Sequence, residues 1–109
     1  MLGERCSYTG TQAKGCFIGI GLDTRKYDLV RSVMEGVTFS LRDVLELITQ
    51  SGFTPSIIHS SGGGSSSPIW RQIQVDIFNK EVVTQNYSED AGGLGAGTIA
   101  VLPWVYDLL

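Results

Sequence analysis

The segment Gly62-Gly63-Gly64-Ser65-Ser66-Ser67-Pro68 is where residue types and spacing could do chemistry. Glycines leave no Cβ in a ligand's path. A turn entering a helix N-terminus also presents backbone N–H groups at the positive end of the helix dipole. Such a turn suits a nucleotide, through its phosphates or the flat face of its base. Many strand-to-helix turns use glycine for sterics alone, however, and on pattern alone the structural reading is favoured.

Sharper catalytic patterns fail. There is no GxxxxGK[ST], so no P-loop lysine reaches a terminal phosphate. Gly19-Ile20-Gly21 begins a GxGxxG, but the sixth position is Thr24, with no suitable acidic residue behind it. His59 is the only histidine and falls in mid-strand, the place of a hydrogen-bonded core or edge residue. No GxSxG elbow appears and no His–Asp partner set can be drawn, which argues against hydrolase chemistry. Asp76 and Glu81 flank a helix end as solvated or capping groups. Cys6 and Cys16 form no CxxC pair, and two reduced thiols in a cytoplasmic protein is the favoured reading.

The glycine turn must be held by flanking elements, and these alternate between extended and helical signals. Cys16-Phe17-Ile18-Gly19-Ile20 reads as a short buried strand. From Lys26 to Gln50, apolar residues Val30, Val33, Met34, Val37, Leu41, Val44, Leu45 and Ile48 recur at spacings of three and four. That is one stripe of a long amphipathic helix, with Arg31, Arg42, Asp43 and Glu46 largely off it. Asp28 or Thr24 suits its start, and Ser51-Gly52 its end. Ser56 to Ser60 reads as a strand that runs into the glycines. Pro68 then opens a helix whose apolar face is Ile69, Trp70, Ile73, Ile77 and Phe78. A strand follows from Glu81 to Gln85, then a small-residue helix from Gly92 to Leu102. A linker would not sit so tightly between two such elements, so the glycine segment is a turn. The alternation argues an α/β fold.

The 109 residues fit one domain or a large piece of one, and a 42% hydrophobic content can bury a core. Only 17% are charged, which suggests a surface partly facing protein. The net charge of −3, without a Lys or Arg run, offers nucleic acid no basic stripe. The apolar runs are too short to span a bilayer, so neither nucleic acid nor membrane is an expected partner.

Taken together, the motifs resemble the FGGY carbohydrate kinases. One family signature is matched in register by Gly15, Phe17, Gly19, Ile20, Asp28, Leu29, Ser32, Val33, Met34 and Glu35. The block from Gly62 to Asp76 resembles the family's adenosine motif, a GGG turn followed by a small residue, Ser, Trp, Gln and Asp. Leu94-Gly95-Ala96-Gly97 resembles the "LGAA" that opens the last nucleotide-side helix. Within the family, Leu2-Gly3-Glu4-Arg5 and Glu35-Gly36-Val37-Thr38-Phe39-Ser40-Leu41-Arg42-Asp43 are similar to the forms seen in xylulose kinases.

The resemblance implies part of an actin-like ATPase domain, which is ribonuclease H-like. Residues 1–109 would be a partial C-terminal nucleotide-binding domain, with the N-terminal sugar-binding domain absent. The catalytic aspartate and the phosphate-binding motifs would lie upstream. The implied reaction transfers the ATP γ-phosphate to a hydroxyl of D-xylulose, with Mg²⁺ bridging phosphate oxygens. Glycerol, gluconate, ribulose and fuculose are the alternative substrates, and an inactive truncated module is the alternative state. Of the site residues implied for ATP, Gly62 serves mainly the turn, Gly63 and Gly64 let backbone approach adenine and ribose, and Ser67 contacts the base. Ser67 is equally read as an N-cap. Trp70 is expected to pack rather than stack on a base, and Gln72 and Asp76 to orient the helix. A cytoplasmic location and a homodimer complete these expectations.

Overall fold

The computed structural model describes residues 13–84, which fall into two compact units divided at Thr54 and Pro55. The first unit is dominated by one helix, α1, from Lys26 to Gln50. Its bounds are those the apolar spacing predicts. Neither Thr24 nor Asp28 is its N-cap. Arg25 takes that place, and the Asp28 carboxylate, three residues on, accepts the Arg25 backbone N–H at 2.8 Å. An arginine side chain has no acceptor, so the help comes wholly from Asp28, whose charge also complements the helix dipole. Thr24 instead accepts the Gly21 N–H at 2.9 Å and closes the turn before the helix. At the far end the Ser51 hydroxyl donates to the Ile48 carbonyl at 2.6 Å, and Gly52 leaves the helix with φ 97°. Two exposed pairs, Arg31–Glu35 and Arg42–Glu46, run along α1. Each is worth about 0.3–0.5 kcal/mol at most.

The apolar stripe of α1 is real but largely uncovered: Val30, Val33, Leu41, Val44 and Ile48 are all exposed. The expected strand from Cys16 to Ile20 is not found. This stretch is irregular and exposed, and Ile18 retains 91% of its accessible surface. A strand exists only through its ladder partner, and among the described residues none pairs with this one. Gly19, with φ 79°, also turns the backbone out of the extended region.

The described residues of the second unit form a β-α-β arrangement. β1, Ile57–Ser60, pairs in parallel with β2, Glu81–Thr84, in the register Ile57↔Glu81 through Ser60↔Thr84. Between them runs α2, Pro68–Phe78, entered through a single 3-10 turn over Gly63–Ser66. Parallel strands need such a crossover, and the glycine segment is its first corner rather than a linker. Ile73 and Ile77 are the buried hydrophobic residues among those described in this unit. Of the face expected for α2, Ile69 is 64% exposed. At about 100° per residue, Trp70, Ile73, Gln74 and Ile77 share one sector, and Ile69 lies about 40° beyond its Ile73 edge. Gln74, a polar residue, is the third buried residue of α2, and Trp70 is half-buried. Asn79 ends α2 in the left-handed conformation, φ 51°, its N–H bonded to the Val75 carbonyl at 2.9 Å.

Among the described residues no helix is long and apolar enough to cross a membrane. Leu2-Gly3-Glu4-Arg5, Gln85 and the helix expected over residues 92–102, with Leu94-Gly95-Ala96-Gly97, lie outside the described residues.

Candidate functional site at the glycine turn

The turn is closed by its own serines. The Ser65 hydroxyl donates to the Gly62 carbonyl and the Ser66 hydroxyl to the Gly63 carbonyl, both at 2.7 Å. The Ser65 N–H also reaches Gly62 O at 3.0 Å, and the Ser67 N–H reaches Gly64 O at 3.1 Å. The carbonyls of all three glycines are therefore engaged within the turn. Short hydroxyl side chains do this because they reach back three residues without strain. Ser65 is buried by the same arrangement, at 3% exposure, while Ser66 stays in solvent.

The three glycines are identical in sequence and differ in geometry. Gly62 has φ 89°, the left-handed region where a side chain is strained. Gly64 is constrained by space, because a Cβ there would stand 2.6 Å from Cζ3 and 2.8 Å from Cε3 of Trp70. The ring of Trp70 thus packs on the Gly64 backbone, in keeping with its expected packing role. Gly63 has neither constraint. Its φ lies outside the left-handed region, and a Cβ would meet nothing within 4 Å. Gly62 also faces open space, but among the described residues only Gly63 in this turn combines open space with a backbone conformation that any residue adopts.

Ser67 is the N-cap of α2: its Oγ accepts the Trp70 N–H at 3.3 Å. A hydroxyl oxygen holds two lone pairs and one hydrogen, so capping leaves the O–H as a donor. Pro68 follows at the first helical position. Gln72 donates through Nε2 to Asp76 Oδ1 at 2.8 Å, an exposed pair along α2 that holds both side chains to the helix. The structure brings Gly62, Gly63, Gly64 and Ser67 together in one corner. His59 lies exposed on β1, and Asp76 and Glu81 are exposed as well. No group of three or more His, Cys, Asp or Glu residues that could hold a metal ion exists among the described residues.

Two buried polar atoms in α2 went unread in the sequence: Arg71 Nε and Gln74 Oε1 make no hydrogen bond. A glutamine inside an apolar sector carries no periodic signal of its own. Asn79 was legible in principle, since asparagine before the next strand is a common left-handed helix terminator.

This corner offers open backbone at Gly63, a hydroxyl at Ser67 and the N-terminal end of α2, and among the described residues no group placed beside it to move a proton.

The chain is similar to known proteins over most of its length. The profile of the FGGY family of carbohydrate kinases, C-terminal domain, matches residues 1–104. A xylulose kinase of Staphylococcus epidermidis is 37% identical over 100 residues, covering 92% of this chain and 20% of that protein. The xylulose kinase of Bacillus subtilis is 37% identical over 101 residues, covering the same shares. The gluconokinase of Bacillus subtilis is 33% identical over 97 residues, covering 88% of this chain and 19% of that protein. No solved structure matches the chain. The chain spans about one fifth of the length of these relatives. The match runs over nearly the whole chain and takes in both the α1 signature and the glycine corner, and the chain belongs to the FGGY family of carbohydrate kinases as a C-terminal domain sequence.

Proposed function

We propose that the chain is the ATP-binding part of a sugar kinase that transfers the ATP γ-phosphate to a hydroxyl of D-xylulose. The observation that carries the nucleotide reading is Gly63, a glycine that neither backbone conformation nor packing requires, set at the mouth of a helix-entering turn. Gly62 shapes the turn, Gly63 admits the adenine or ribose against bare backbone, Gly64 makes room for the packing behind it, and Ser67 donates its hydroxyl hydrogen toward the base. Mg²⁺ accompanying the ATP would supply neutralisation of the charge that develops in transfer. The described residues contribute orientation, and the base that deprotonates the sugar belongs to an N-terminal sugar domain. The choice of D-xylulose is supported by the similarity to xylulose kinases, with gluconate as the alternative favoured by the similarity to a gluconokinase.

Gly63→Val tests the site. Calorimetric titration with Mg·ATP should show weakened binding, while sugar binding and the melting temperature stay near those of the parent. A variant that folds normally and binds ATP as the parent does would make the turn purely structural. The sugar is tested by joining the chain to the residues encoded upstream and assaying ADP release. D-Xylulose should be preferred over gluconate, glycerol, ribulose and fuculose. An upstream sequence without a sugar domain and catalytic aspartate refutes an active kinase and favours an inactive nucleotide-binding module.

A further inference from the structure

Trp70 touches the glycine turn at two points. Its backbone N–H is held by Ser67 Oγ at 3.3 Å, and the benzo edge of its ring lies against Gly64. A Cβ at residue 64 would stand 2.6 Å from Cζ3, 2.8 Å from Cε3 and 3.4 Å from Cη2. The first two are closer than side chains approach, and the obstacle is a fused ring on a helix rather than the tip of a flexible chain. Close-packed interiors accept no such overlap without moving the backbone. Ring and turn therefore fix each other's position.

We infer that Trp70 is a positioning residue for nucleotide binding, its ring seated on Gly64 so that the turn presents Gly63 outward. Gly64 is then a glycine on account of Trp70, not of the ligand. This rests on the ATP reading given above. The seat itself is independent of that reading, because it is a contact within the protein.

A double-mutant cycle on the full chain separates the two, with Mg·ATP affinity measured by calorimetry and melting temperature measured without nucleotide. In the parent background Gly64→Ala should weaken Mg·ATP binding about tenfold, a coupling within the range found for residues in contact. In the Trp70→Leu background, where the ring edge is gone, the same change should cost less than about twofold. Trp70→Phe, which keeps a flat ring, should lose less affinity than Trp70→Leu. A Gly64→Ala chain that fails to fold alone but folds with Trp70→Leu also supports the seat, and failure in both backgrounds overturns it. An equal loss of affinity in both backgrounds would mean that Gly64 faces the ligand, and the proposal falls. Coupling in melting temperature without coupling in affinity reduces Trp70 to a packing residue and overturns the positioning role. If the parent chain binds no Mg·ATP, the nucleotide reading fails and the positioning role with it. That case is recognisable because the melting temperatures still couple.

Discussion

Replacing Ser67 by alanine removes one oxygen that is assigned two jobs, and the structure allows them to be weighed. The cap is a bond of 3.3 Å from the Trp70 N–H, long for its type. Loss of a serine cap costs about 0.5–2 kcal/mol, and a long, half-exposed bond belongs in the lower half, about 0.5–1 kcal/mol. For a domain of this size that corresponds to a fall in melting temperature of about 2–6 °C. Pro68 still favours the first helical turn, so α2 should persist and circular dichroism should change little. The second job appears only with ligand. ATP at about 100 times its dissociation constant stabilises the folded chain by about 2.7 kcal/mol, and a weaker complex gives a smaller rise. Melting curves with and without Mg·ATP should therefore show both a lower baseline and a smaller ATP-induced rise. An unchanged melting temperature without ATP would refute the cap as a stabilising contact. A lowered baseline with the parent's full ATP-induced rise would remove Ser67 from the binding site and leave it structural.

Gly62→Ala should destabilise the second unit by about 1 kcal/mol or more because φ 89° is unfavourable for a side chain, and denaturant unfolding will read it. Arg31→Ala should change stability by less than about 0.5 kcal/mol, since the Glu35 partner is exposed, and a larger loss would mean that the pair does more than the geometry indicates. The 109-residue chain alone should release no sugar-dependent ADP in a coupled assay, since among the described residues no group is placed to take the sugar's proton. Turnover abolished by a substitution within the chain would overturn this. With Phe17, Ile18, Ile20 and Leu22 exposed, and the apolar stripe of α1 exposed as well, the chain should self-associate on size exclusion with light scattering. A clean monomer that binds no hydrophobic dye contradicts that.

The elements that could be read from sequence are those whose signal is local. The 25 residues of α1 repeat their apolar spacing often enough to set both ends, and Ser67-Pro68 announces the start of α2 by cap and ring chemistry. Cys16 to Ile20 misled because an apolar run records only that something should cover it, not that a partner strand is there. Gln74 was missed because its burial is set by helix phase, against its own polarity. At the corner itself, the letters GGG mark a bare backbone, and only coordinates divide the three glycines into one demanded by φ, one by a neighbouring ring and one by neither. A short polar run cannot carry that distinction, since it depends on where Trp70 points.

The parallel pairing of β1 with β2 also governs how this corner comes into being. Ile57 must find Glu81 across about 24 residues of chain, a closure that costs about 3 kcal/mol of entropy beyond a fixed term if the connection is flexible. A preformed α2 replaces eleven loose residues by a rod about 16 Å long and so shortens the search. The Ser67 cap and Pro68 favour the first turn of α2 and so the population of rod available for that search. Substitutions of Ser67 or Pro68 should therefore slow refolding, and the proposed ATP site shares Ser67 with the step that brings β1 and β2 together.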